Sequence, residues 1–259
     1  QTSSIKLTID RSLQYISEDE IELGVKRFNA KSGMIILQNP NTGEILAMAT
    51  YPKFDPNPLS MGKTEKQFDL NSLKNPIVST VFEPGSTFKI ISFAAALDEH
   101  KIKLSDKFNC ENGKFKYKST TINDHEPYET LDVQGIMEKS SNIGTAKIAL
   151  ILGSSTLYQY ARAFGFGTLT GIPIPGESAG IFRNITQWSA ISLPVISFGQ
   201  EIGVTAIQLI NAFSAVANGG LLMEPVIVKE MVQQDSHHTF KPNVIRRVIT
   251  ADTAKKLRD

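Results

Sequence analysis

Phe88, Ile90, Ile91, Phe93, Ala94, Ala95, Ala96 and Leu97 crowd one short stretch, so the helix they form has apolar side chains almost all round. Such a helix has no polar face to turn to water, so the fold must place other elements on every side of it. Its beginning is marked as well, because Pro84-Gly85-Ser86-Thr87 breaks directly into the apolar run. The expectation is a helix buried in the middle of the domain, entered through a Pro-Gly turn.

The elements that surround it can be read from periodicity and turn chemistry. Asp10 has the position of a helix N-cap, and Leu13, Ile16, Ile21, Val25 and Phe28 follow on one stripe, predicting a first helix packed on a flat surface. Met34 to Leu37 and Ile45 to Ala49 are short apolar runs joined through Asn39-Pro40-Asn41-Thr42-Gly43, which predicts an antiparallel hairpin. Residues 52–75 are rich in Pro, Asn, Lys and Ser and read as a long surface excursion. Residues 105–130 are polar, with turn signals at Asn112-Gly113 and from Asp124 to Pro127. A second helical pattern runs from about Leu131 to Leu152, and a near-apolar one from Thr205 to Ala217 stops at Asn218-Gly219-Gly220, where glycine supplies a left-handed cap. Val226 to Val232 reads as a strand, and after Val244 to Ile249 Thr250 is placed to cap a last helix.

Composition removes whole classes of function. With 259 residues, 41% hydrophobic and 20% charged, the chain is ordinary globular material, long enough for one large domain or two small ones. A formal charge of +1 leaves no excess with which to hold a phosphate backbone, which argues against nucleic acid as a partner. The longest apolar run is about that of Phe93 to Leu97, far below the ~20 residues that cross a bilayer, and no charged-then-apolar leader opens the chain. Cys110 is the only cysteine, so there is no internal disulfide and no cysteine-based metal site. His100, His125, His237 and His238 lack ligand spacing such as H-E-x-x-H, and no metal is expected.

The chemistry-bearing pattern is S-x-x-K, which puts a hydroxyl and an amine at i and i+3 on one helical face, near enough for the amine to take the hydroxyl proton. It occurs as Ser3-Lys6, Ser60-Lys63 and Ser86-Lys89. The first lies in a terminus and the second in the loopy stretch, where Lys63 stays hydrated near its reference pKa of ~10.4. Only Ser86 stands where a turn meets the first turn of a buried helix, with orphan N–H groups and positive dipole to favour a developing oxyanion. Burial also lowers the pKa of Lys89 toward the ~7 to 8 useful to a general base. The tetrad alone also fits a capping serine beside a snorkelling lysine. The chain's one S-x-N, Ser140-Ser141-Asn142, adds a proton-relaying hydroxyl and an amide-binding side chain.

Glu83-Pro84-Gly85-Ser86-Thr87-Phe88-Lys89 resembles the active-site heptad of class B penicillin-binding proteins, for which S-x-x-K is a signature. Further stretches resemble landmarks of that family in its own order: Leu7-Thr8-Ile9-Asp10, Thr42-Gly43-Glu44-Ile45-Leu46-Ala47-Met48, Phe54-Asp55-Pro56-Asn57, Lys139-Ser140-Ser141-Asn142, Pro175-Gly176-Glu177, Ser197-Phe198-Gly199-Gln200 and Ala217-Asn218-Gly219-Gly220. The resemblance implies an α/β (α+β) transpeptidase fold of the penicillin-binding and β-lactamase kind, an antiparallel sheet covered by helices plus an all-helical lobe, with the active site between them. It also implies that residues 1–259 are one transpeptidase domain lacking its last strands, and that a membrane anchor and a pedestal precede Gln1, holding the catalytic domain on the outer face of the inner membrane.

The family's third element, Lys-Thr-Gly or Lys-Ser-Gly, is matched literally only by Lys31-Ser32-Gly33, which opens the first hairpin strand rather than following the helix begun at Thr250. The implied element lies beyond Asp259, and Lys31 is expected to have no catalytic role. By resemblance, Ser86 is the acylated nucleophile, Lys89 its base, Ser140 a proton relay and Asn142 the ligand of the substrate amide and a support for Lys89. The substrate implied is a peptidoglycan stem peptide, with β-lactams as mimics, no cofactor, and a membrane glycosyltransferase with division or elongation proteins as partners. Ser197-Phe198-Gly199-Gln200 and Leu7-Thr8-Ile9-Asp10 look more like the division or sporulation branch than the elongation branch. Two other readings share these residues: a β-lactamase or D,D-carboxypeptidase, which delivers the acyl group to water, and a non-catalytic scaffold, whose sign would be a lost motif residue.

Overall fold

The computed structural model describes residues 4–54, 74–233 and 236–259. It begins with β1 (Ser4–Leu7) and α1 (Arg11–Arg27), where Asp10 caps the helix by accepting from Ser12 N at 2.9 Å and Leu13 N at 3.0 Å. β2 (Gly33–Gln38) and β3 (Ile45–Tyr51) form the expected antiparallel hairpin, with Ile36 opposite Met48. Gly43 closes its turn at φ +76, and a Cβ there would overlap the carbonyl of Glu224, so only glycine fits.

α1 lies across the hairpin, but its stripe is rotated from the one expected. Val25 is buried, whereas Ile16 is 55% and Phe28 76% exposed. The edge of β3 explains the rotation. Its free backbone groups need partners, and Gln14 supplies both, donating to Met48 O at 3.1 Å and accepting from Met48 N at 2.7 Å. Turning Gln14 and the buried Ser17 inward carries Ile16 outward.

After α2 (Pro76–Ser79), a 3₁₀ turn at Gly85–Phe88 leads into α3 (Lys89–Asp98), the apolar helix. Every residue from Ile91 to Leu97 is buried. The chain continues through β4 (Lys107–Asn109), β5 (Lys114–Tyr117), β6 (Thr120–Asn123), β7 (Thr130–Asp132), α4 (Val133–Glu138), α5 (Asn142–Leu152), α6 (Ser154–Ala163) and α7 (Ser192–Ser197). α8 (Ala206–Ala217), β8 (Leu221–Met223), β9 (Val228–Gln233), β10 (Ser236–Thr239), β11 (Val244–Arg247) and α9 (Ala251–Arg258) complete it. α5, α6, α7 and α9 pack around α3, so the apolar helix is the centre of the larger hydrophobic core. A smaller core, including Ile45, Ile77 and Ile207, fills the space beneath the hairpin. β9 is the middle strand of an antiparallel sheet with β1 and β10.

Two stretches differ from their reading. Residues 131–152 are not one helix. Asp132 caps α4 by accepting from Gly135 N at 2.7 Å, Ser140 takes φ +54, and Ser141 caps α5 by accepting from Gly144 N at 2.9 Å. α4 then folds onto α5 where Gly144 leaves room for the Ile136 side chain, since a Cβ on Gly144 would stand 2.6 Å from Ile136 Cγ1. Residues 105–130, read as turns, carry two antiparallel ribbons, β4 with β7 and β5 with β6. Their strands are only three or four residues long, too short to display a period.

Thr250 caps α9 as expected, accepting from Thr253 N at 3.2 Å. It also ties that helix to the far end of α3, because its N–H and hydroxyl reach Asp98 Oδ1 at 2.9 and 2.8 Å. Tyr160 donates to Asp98 Oδ2 at 2.9 Å. Burial pushes the Asp98 carboxyl up, but the bonds it accepts, those from Thr250 foremost with Thr253 and Tyr160 beside them, together outweigh it and hold it below its ordinary 3.8. Asp98→Ala should therefore cost roughly 1–3 kcal/mol at neutral pH, the loss of hydrogen bonds to a charged group. A group with a depressed folded pKa stabilises above its unfolded pKa and ceases to as pH falls through the folded value. The gap between variant and wild type, measured by urea unfolding, should accordingly close below about pH 4.

Candidate active site

Ser86 sits on the exposed side of the 3₁₀ turn, immediately ahead of the buried helix. A 3₁₀ turn has about three residues per revolution, so positions i and i+3 eclipse, aligning Ser86 with Lys89 more closely than an α-turn would. Gly85 enters the turn at φ +55. Thr87 Oγ1 donates to Pro84 O at 2.7 Å, and Phe88 is buried with its ring edge-on to Phe166 at 5.2 Å between centroids. The turn also lies on the segment after α7. Gly85 N donates to Gly199 O at 3.0 Å, and a Cβ on Gly199 would overlap the Gly85 carbonyl. Gly199 stands at φ +84, so both its conformation and its contact demand glycine.

Lys89 is the only charged side chain buried among the described residues, at 4% exposure. Its ammonium donates to Ser140 O at 2.5 Å and Ser140 Oγ at 3.0 Å. Loss of water lowers its pKa from 10.5 to about 8, against the opposing pull of the Asp124 carboxylate. The left-handed link at Ser140 makes the contact possible, since it turns that carbonyl out of both helices toward the lysine.

The structure thus joins Lys89 to Ser140 and sets Ser86 one 3₁₀ turn ahead of Lys89, with Ser86 and Ser140 both exposed. Asn142, expected to support Lys89, lies two positions beyond Ser140, and its Nδ2 donates instead to Asn123 O at 3.0 Å. The side chain that organises this corner is Asp124, which sequence reasoning passed over as part of a turn signal. Its Oδ2 accepts from Ser141 Oγ at 2.6 Å and its Oδ1 from Ile143 N at 3.0 Å, fixing the start of α5. Nothing in the local pattern gives that away, because the partners lie 17 and 19 positions on. Cys110 is fully buried, its Sγ 3.5 Å from Ser141 Oγ, and burial pushes its thiol pKa up, so it supplies no thiolate.

Lys31 is exposed in the link between α1 and β2, and among the described residues no hydrogen bond or ion pair joins it to Ser86, Lys89, Ser140 or Asn142. Ser3 and the pair Ser60-Lys63 lie outside the described residues, as do Asp55-Pro56-Asn57. Among the described residues no group of three or more His, Cys, Asp or Glu gathers as a metal site, and no helix is long and apolar enough to cross a membrane.

Residues 33–259 match the family described as penicillin binding protein transpeptidase domain. The chain belongs to the penicillin-binding protein transpeptidase family. Its relatives include a probable peptidoglycan D,D-transpeptidase PenA of Neisseria flavescens, 33% identical over 98% of this chain and 59% of the relative. Stage V sporulation protein D of Bacillus subtilis is 34% identical over 98% of this chain and 39% of its own length. The crystal structure of penicillin-binding protein 3 from Mycobacterium tuberculosis complexed with aztreonam superposes with a TM-score of 0.90 at 30% identity, over 100% of this chain and 57% of that one. The chain spans between 39% and 59% of the length of these three relatives. The family accounts for the α/β fold and for the class B resemblance of the motifs.

Enclosing Lys89 in this penicillin-binding protein fold has a price in stability that can be measured. Because its folded pKa is below its unfolded one, the unfolded chain holds more protons between about pH 8 and 10.5, and stability rises across that window. Below it the whole penalty, on the order of 3 kcal/mol, is present. Lys89→Met keeps the length of the side chain and has no such term. Its stability relative to wild type should be greatest near pH 7 and should decline by that order by pH 10.5. Urea titrations at the two pH values check this, and a pH-independent difference would show that the lysine is not depressed.

Proposed function

We propose that this chain is catalytic material of a peptidoglycan D,D-transpeptidase acting through an acyl-enzyme on Ser86. The observation that carries the reading is the Lys89 ammonium, the one buried charge among the described residues, one 3₁₀ turn from an exposed serine and bonded to Ser140. A lysine depressed to about 8 is part neutral at working pH, as a general base must be.

In the first half-reaction Ser86 Oγ attacks the carbonyl between the two terminal D-alanines of a stem peptide, and its proton passes to neutral Lys89. The carbonyl oxygen becomes an oxyanion at the helix start, where the Ser86 N–H and the helix dipole stabilise it. As the C–N bond breaks, Ser140 hands the departing amine a proton drawn from Lys89, and D-alanine leaves. In the second half, the amine of another stem peptide attacks the ester, gives up its proton along the same path and releases Ser86. One amide has been exchanged for another, with no cofactor. Asn142, anchored through Nδ2 to Asn123 O, presents its carbonyl oxygen to a substrate N–H. A β-lactam acylates the same serine, but its amine stays tethered after ring opening, so the ester persists.

The relatives' names support transpeptidation over transfer to water, and the sporulation name among them supports a division or sporulation role. In the whole protein we place this part outside the cytoplasmic membrane on an anchor, beside a membrane glycosyltransferase.

Ser86→Ala in the full-length protein should abolish covalent labelling by a fluorescent penicillin while leaving thermal unfolding within a few degrees of wild type. Tryptic mapping of the wild-type adduct should find it on the Ser86 peptide, and an adduct elsewhere would refute the assignment. The acylation rate constant of wild type should rise about tenfold between pH 7 and 9 and then level off, as Lys89 loses its proton around pH 8. A flat profile measured by stopped flow over that range would remove Lys89 as the base.

A further inference from the structure

Residues 82–85 run beside residues 199–204 as a short antiparallel ladder. Phe82 and Val204 exchange main-chain bonds of 3.0 and 2.9 Å, and Gly85 N donates to Gly199 O at 3.0 Å. Between these rungs a side chain takes the place of the main chain: Glu83 Oε1 accepts from Glu201 N at 3.0 Å. Glu201 stands at φ +57, a left-handed conformation unfavourable for a residue with a Cβ, so it holds that position only while its surroundings impose it. Its own carboxylate is fixed from the other side, by Arg183 Nη2 and Ser192 Oγ, both at 2.7 Å from Oε2.

The entrance of the turn carrying Ser86 is held from one side only. Its Gly85 carbonyl lies against Gly199, but a Cβ placed on Gly85 would meet nothing within 4 Å, so the other side is open, and glycine has the widest backbone freedom of any. Two hydrogen bonds straddle it, one from its own N–H and one to the carboxylate two positions before it.

We propose that Glu83 is a positioning residue for Ser86 acylation: its carboxylate oxygen replaces a missing ladder rung, pins the left-handed Glu201 against the turn, and so sets where the hydroxyl stands. This rests on Ser86 being the nucleophile. The requirement is for an acceptor at the Oε1 position rather than for negative charge. Glu83 is exposed, so its removal deprives the fold of one surface hydrogen bond and no core. Misplacing a reacting group by about 1 Å is enough to slow a reaction ~100-fold, whereas such a bond contributes little to global stability.

The test uses the full-length protein and a chromogenic cephalosporin, with acylation rate and non-covalent affinity separated by stopped flow. In parallel, hydrogen exchange at the Glu201 amide reports the bond without reference to activity. Glu83→Ala should slow acylation about tenfold or more at unchanged affinity and expose the Glu201 amide. Glu83→Gln keeps a carbonyl oxygen at the same reach and should stay within about threefold of wild type with that amide protected. Wild-type rates in Glu83→Ala overturn the proposal, and so does an equal slowing in Glu83→Gln, which would make charge the operative property. If Glu83→Ala fails to fold, Glu83→Gln decides alone: a folded, protected but slow variant overturns the proposal. Wild type that is never acylated at Ser86 fails the nucleophile assignment instead, which is a different result.

Discussion

A lysine whose residue is only 4% exposed has lost much of its ammonium's water, and the fold around it must make that tolerable. Two oxygens of Ser140 do part of this, and a lowered pKa does the rest by letting the group shed its charge. The arrangement constrains everything nearby. Ser140 has to present a carbonyl that no helix consumes, so the chain must break between α4 and α5. The break is closed on the α4 side by main-chain bonds from Ser140 N to Met137 O and from Ser141 N to Ile136 O, and on the α5 side by the Ser141 cap, which is itself steadied by Asp124. A helix running unbroken through residues 131–152 would have spent the Ser140 carbonyl on its own ladder and left the lysine without a partner.

The surroundings of α3 follow the same logic at larger scale. A helix with no polar side needs cover all round, and α5, α6, α7 and α9 supply it. That cover is also what dehydrates Lys89, so the apolar composition that fixes the fold and the depressed basicity of this lysine have one cause. Polar groups drawn into the interior are matched in turn. Gln208 shows the pattern, accepting from Thr205 N at 3.0 Å while donating to Thr168 O at 2.8 Å and Ala179 O at 2.9 Å. Among the described residues no buried side-chain nitrogen or oxygen lacks a partner.

Features with a short-range cause were legible in the chain. α3 and α8 announce themselves by composition, the hairpin by Asn39 to Gly43, the helix starts by Asp10, Thr205 and Thr250. The choice of Ser86 with Lys89 among three tetrads came from the same kind of signal, a turn running into an apolar helix. What stayed hidden depends on partners far along the chain or on backbone alone. The α4–α5 break keeps apolar residues in helical phase on both sides, so periodicity reads straight through it. Asp124 resembles any turn aspartate until its bonds to Ser141 and Ile143 are seen. Gln14 is an ordinary polar residue of α1 until it meets the edge of β3.

The contact between Gly85 and Gly199 is made of main chain on both faces, with no side chain in between. A seam of that kind offers substitution almost nothing to work on: enlarging Gly199 collides with the opposite carbonyl, and there is no smaller residue to try. Variation that adjusts the setting of Ser86 while keeping the fold is therefore channelled away from the seam, toward side chains that brace it from behind, such as Arg183 and Ser192. A contact that tolerates so little added volume is for that reason also one that evolution can hardly adjust.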